Sequence, residues 1–169
     1  MGRFKNTKTE SFLNSEFFKT SLDDENNNLT LRCKFNFSYF DNSQDCGQDF
    51  EDWTEIQLQK LLNKVKEYSK FSLNHWSNQK VGSGKHKHNI LEIYGAFPTN
   101  TDFKCPTSIP HQVEWGRFRL ENKVRLIGFV IPSSYHKTPH SKTMEMFDKN
   151  TFYVVFLDKE HRFYKTERA

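Results

Sequence analysis

Two neighbouring runs near the C-terminus constrain this chain most. Residues 113–120 and 124–131 are rich in aliphatic and aromatic side chains, and only Glu121-Asn122-Lys123 lies between them. Such side chains suit a pleated surface, and a short polar turn between two such runs predicts a β-hairpin. Residues 152–157 form a further run of this kind. Asp158-Lys159-Glu160 then turns the chain, and residues 161–164 are expected to return as a terminal strand. Two hairpins in succession commit this third of the chain to an antiparallel sheet.

Upstream the pattern is mixed. Residues 29–40 alternate, with Leu29, Leu31, Cys33, Phe35, Phe37 and Tyr39 on one side, which predicts a strand. Leu58, Leu61, Leu62, Val65 and Tyr68 recur at helical spacing, so a helix is expected over about residues 52–71. Acidic residues gather at its start and lysines near its end, as the helix dipole favours. Leu73 and Trp76 suggest a short second helix, and residues 90–94 fit either a short helix or a strand. The class is therefore α+β, with helices against a small antiparallel sheet. A length of 169 residues suits one domain, with residues 1–28 expected to be partly flexible and the Ser/Thr/His/Lys stretch 132–150 expected to be a mobile loop.

The 17 Phe, 6 Tyr and 3 Trp compensate for a hydrophobic fraction of only 35% and predict an aromatic core. Residues 1–110 carry 14 Lys and Arg against 14 Asp and Glu, whereas residues 111–169 carry 11 against 7. The whole +4 excess thus lies on the segment that forms the hairpins, a bias that attracts phosphates or is ordinary solvated surface. Three widely spaced cysteines without a C-x-x-C argue against a disulfide framework or a zinc site. The polar N-terminus has no signal-peptide core, and no apolar run is long enough for a membrane span, so a cytoplasmic location is expected.

The C-terminal pattern reads Trp115-Gly116-Arg117-Phe118-Arg119-Leu120, a turn, Lys123-Val124-Arg125-Leu126-Ile127-Gly128-Phe129, then Phe152-Tyr153-Val154-Val155-Phe156-Leu157-Asp158 and His161-Arg162-Phe163-Tyr164. Preceded by helices, it resembles the RelE/ParE superfamily of toxin-like proteins from type II toxin–antitoxin systems. The resemblance covers about residues 113–165; the long N-terminal extension and the stretch 132–150 depart from it. It implies a RelE-like sheet with helices on it. It also implies a metal-free endoribonuclease acting on RNA, ribosome-bound message included, by attack of the 2′-hydroxyl on the adjacent phosphate, with a cognate antitoxin as partner and no cofactor. Some members of the superfamily do not cleave RNA, so a non-catalytic module binding nucleic acid or protein is the alternative, and a ParE-type action on another target is a third.

That chemistry needs a base, an acid and positive charge on the phosphate. Carried over by resemblance, Arg119 and Arg125 become phosphate clamps and His161 the acid/base. Arg117 joins them because it lies two residues from Arg119 on one strand face, and Tyr164 because it could orient the reacting groups. Each has a plainer reading. Arg117 and Arg119 suit a solvated strand face, Arg125 could pair with Glu114 or Glu121, His161 could cap the turn or bond Asp158, and Tyr164 could simply pack.

Other constellations carry less. His86-x-His88 and His136-x-x-x-His140 lack carboxylate or thiolate company, and Pro139 breaks the helix that would align the second pair. Gly82-Ser83-Gly84-Lys85 lacks the phosphate-loop spacing and reads as a basic hinge.

Overall fold

A computed structural model describes residues 22, 27–84 and 87–165. Its contacts divide the chain into two units, residues 1–30 and 31–169. The strands, in chain order, are β1 (Lys34–Asn36), β2 (Lys80–Val81), β3 (His88–Asn89), β4 (Leu91–Gly95), β5 (Glu114–Arg119), β6 (Arg125–Val130) and β7 (Thr151–Asp158). The helices are α1 (Glu55–Tyr68) and α2 (Leu73–Asn78). A five-stranded sheet has the order β1-β7-β6-β5-β4, and β2 and β3 form a small separate ribbon. The pairs β4–β5, β5–β6 and β6–β7 are antiparallel, whereas β1 joins β7 in parallel.

The expected α+β class is present. The alternating stretch 29–40, however, yields only three residues of strand, with a 3-10 turn at Leu29–Leu31 before it. Beyond β1, Ser38 N–H bonds the Asn36 side chain and Phe40 N–H bonds the Phe37 carbonyl, so local turns take the donors a longer ladder would need. Of residues 90–94, all but Ile90 lie in β4. The chain after β7 does not return as a strand either: the Asp158 carboxylate accepts the backbone N–H of Glu160, Arg162 and Phe163 at 2.9–3.1 Å.

α1 starts at Thr54, whose hydroxyl accepts from Gln57 N–H while the Gln57 side chain accepts from Thr54 N–H. This reciprocal cap satisfies two of the donors a helix start leaves open. Leu61 and Tyr68 of α1, with Leu73 and Trp76 of α2, bury against Phe118, Leu126, Phe152 and Val154 on one sheet face. Tyr68 Oη also donates to the Arg119 carbonyl at 2.5 Å, pinning α1 to the end of β5. A second cluster covers the opposite face: Trp115, Ile127, Phe129 and Phe156 meet Phe103, Ile109 and Phe163 from the loops.

Register shifts in β4 at Ile93/Gly95 and in β6–β7 at Ile127/Gly128. The second shift puts Val155 and Phe156 on the same face, so the aromatic cluster gains an extra inward side chain. It also presses the backbone together, since a Cβ at Gly128 would lie 2.1 Å from the Tyr153 carbonyl oxygen. Gly128→Val is therefore expected to lose at least about 1–3 kcal/mol of stability, read as a drop in the urea midpoint at unchanged m-value.

Candidate functional site

Strand parity gathers the polar residues of the hairpins on the face away from the helices. On β5, Trp115, Arg117 and Arg119 point to the same side, while Phe118 points to the helices. Arg119 stands opposite Arg125, and Arg125 opposite Asp158, across consecutive ladders. Glu92 of β4 stands opposite Arg117 on the other edge. Three guanidinium groups and two carboxylates thus share one end of the face, and the aromatic cluster fills the rest.

Arg117 is only 5% exposed. Its Nε and Nη2 donate to Glu92 Oε2 at 3.2 and 2.8 Å, and its Nη1 lies 2.8 Å from His161 Nε2. Arginine can only donate, so that imidazole nitrogen accepts and the ring's proton sits on Nδ1. The guanidinium also lies 5.4 Å from the Tyr94 ring and 5.8 Å from the Tyr164 ring, which stack on each other at 4.8 Å and 5°. His161 has a left-handed backbone, φ 64°, set where Asp158 gathers the amides on both sides of it. Burial, then the charges of Arg117 and Arg125, hold the imidazole below its usual pKa of 6.5, so it is neutral at pH 7.

The other two arginines differ. Arg125 is buried and donates through Nη1 to the carbonyls of Asn122 and Val124 at 2.7 and 2.8 Å. Burial, then Arg119 and Arg117, push its pKa down to about 10, and it stays charged at neutral pH. Neither expected partner, Glu114 nor Glu121, takes it; Glu121 pairs with Lys60 of α1 instead. Arg119 is half-buried, and among the described residues its guanidinium makes no ion pair. Its Nε, the Arg125 Nε and the Tyr94 hydroxyl are all buried without a hydrogen-bond partner among the described residues. A buried donor left unmet costs about 1–3 kcal/mol, so these three groups make this end of the face energetically expensive.

Compared with family models, curated proteins and solved structures, the chain matches none.

All five residues singled out from sequence, Arg117, Arg119, Arg125, His161 and Tyr164, lie on or beside this face. They are not equivalent: Arg117 and Arg125 are engaged inside the protein, while Arg119 is not. Sequence reasoning missed Glu92, Tyr94 and the organising role of Asp158. The alternation Leu91-Glu92-Ile93-Tyr94 was the available signal for the first two, had it been read as an edge strand beside β5. Of the other histidines, His136 and His140 each accept backbone N–H groups in the 132–150 segment through Nδ1. His86 lies outside the described residues, and among those no group of three metal-ligating side chains occurs. No described helix is long and apolar enough to cross a membrane.

Because the unfolded chain would protonate His161 before the folded one, stability should fall as pH drops below 6.5 and level off once the folded ring takes its proton. Replacing Arg117 by Met should raise the imidazole pKa part of the way back, measurable by NMR titration of the ring protons. An unchanged titration would mean that the 2.8 Å contact does not govern this ring.

Proposed function

We propose that this face binds the phosphodiester backbone of RNA and that the protein acts as a RelE-like endoribonuclease toxin held in check by a cognate antitoxin. The observation that carries the reading is the convergence of three guanidinium groups and a neutral imidazole, with Arg119 forming no ion pair among the described residues. A phosphate approaching this face meets Arg119, the half-buried guanidinium that makes no ion pair among the described residues. Arg119 is the principal clamp, and Arg125 and Arg117 supply field from behind. Ribosome-bound message is the target class that the resemblance implies.

In the proposed reaction a neutral His161 takes the proton of the 2′-hydroxyl. The 2′-oxygen attacks phosphorus, the bond from phosphorus to the 5′-oxygen breaks, and the products end in a 2′,3′-cyclic phosphate and a 5′-hydroxyl. The leaving oxygen needs a proton, and the hydroxyl of Tyr164, an exposed residue whose ring lies 5.8 Å from the Arg117 guanidinium, is assigned that role in the proposal. His161 Nε2 must first exchange its contact with Arg117 for the substrate hydroxyl. That same contact favours the second reading, a module that binds RNA without cutting it, because the accepting nitrogen is already occupied.

Inducible expression in bacteria followed by mapping of RNA ends tests the proposal. Growth arrest with new 5′-hydroxyl ends is expected; full growth with intact RNA at high expression sinks the nuclease reading. His161→Ala should slow cleavage about 10²–10⁴-fold with binding retained. Arg119→Met should weaken RNA binding by about 1.5–3 kcal/mol and flatten its salt dependence, yet leave stability equal or up to about 1 kcal/mol higher, because it removes an unmet buried donor. Loss of stability in Arg119→Met would mark a structural arginine instead.

A further inference from the structure

The segment 132–150 is built around a small hairpin. A 3-10 turn at Ser133–Tyr135 leads into a bridge between Pro139 and Met146. Lys137 N–H bonds the Phe147 carbonyl, Phe147 N–H bonds the Thr138 carbonyl, and His140 N–H bonds the Glu145 carbonyl, all at 2.8–3.0 Å. Left-handed residues Lys137 and Met144 turn its backbone. This hairpin and the sheet enclose an open cavity of about 400 Å³. Phe129 and Tyr153 of β6 and β7, stacked at 4.9 Å and 8°, line it from the sheet, and Tyr135, His140 and Phe147 line it from the hairpin.

The lining is aromatic but not wholly apolar. His140 Nδ1 accepts from Thr143 N–H at 3.3 Å, so a neutral ring carries its proton on Nε2 as a donor. The exposed Gln112 side chain, for which no internal hydrogen bond is formed among the described residues, offers both a donor and an acceptor at the same cavity. Tyr39 reaches it edge-on to Phe129 and Tyr153. A space bounded by aromatic rings, with an amide and an imidazole N–H, suits a flat heterocycle with its own donors and acceptors, and unstacked bases are bound in that way. Phe129 and Tyr153 belong to the same sheet face as Arg117, Arg119 and Arg125.

We propose that this cavity takes an unpaired nucleobase of the RNA whose backbone lies on the arginine end of the face. The inference rests on the RNA-binding reading above. The test compares binding of the full-length protein to a short single-stranded RNA and to an abasic backbone of the same length, by fluorescence anisotropy. The base-bearing strand should bind about tenfold to a hundredfold more tightly. Tyr135→Ala, at an exposed position, should erase most of that difference and leave the abasic strand unaffected; Phe147→Ala serves as a second variant, and thermal melts verify that both fold. Equal binding of the two strands, or a Tyr135→Ala that weakens both alike, overturns the base pocket. If both strands bind equally and Arg119→Met weakens both, the phosphate reading stands without the pocket. If neither strand binds, both readings fall.

Discussion

A buried carboxylate at the end of β7 holds the charged end of this sheet together. Asp158 is fully buried, and its two oxygens accept three backbone N–H groups from the next five residues. The same capture curls the chain instead of letting it pair as a sixth strand, puts His161 in a left-handed conformation and inserts Phe163 into the aromatic cluster. From there Tyr164 reaches the Tyr94 ring, and His161 reaches Arg117. Without that anion, the imidazole would have no reason to face the arginines, and Arg125 would lose the nearest negative charge on its ladder.

The site carries a thermodynamic cost. Three guanidinium groups repel one another where burial has removed much of the solvent, and among the described residues only Arg117 has a carboxylate partner, Glu92. Arg125 is held by carbonyls of the β5–β6 turn, which satisfy hydrogen bonds but do not neutralise charge. Apolar side chains of similar size would fill these positions more stably, since a buried charge pays desolvation before it gains anything from a partner. Arg119 and Arg125 each keep a buried Nε without a hydrogen-bond partner among the described residues, a further cost borne at this end of the sheet.

The two faces of the sheet divide the labour. The helices seal one face with Tyr68, Trp76 and Phe118 in contact, and the capped start of α1 and the Tyr68–Arg119 hydrogen bond keep that side rigid. The opposite face is left to loops, so its charged end and its aromatic end stay accessible at their rims while their floors are set by the strands. The register shift at Gly128 belongs to this arrangement, because it adds Val155 and Phe156 to the loop-covered side together.

Much of this was legible in the residues alone. Strand-forming side chains on both sides of Glu121-Asn122-Lys123 determined the hairpin, the 3.6-residue spacing of Leu58, Leu61, Val65 and Tyr68 determined α1, and the spacing of Arg117 and Arg119 put both on one face, because period and turn are local properties. Pattern could not decide where those local signals lose to longer-range partners. The alternation of residues 29–40 became three residues of parallel strand, since local turns at Ser38 and Phe40 took the amides a longer ladder would need. Residues 161–164 left the sheet because a side chain outcompeted the ladder for their amides. Which arginine pairs was likewise a tertiary matter: Glu92 lies 25 residues before Arg117 in the chain, and only the β4–β5 register brings the two together, leaving Arg119 without a counter-ion among the described residues.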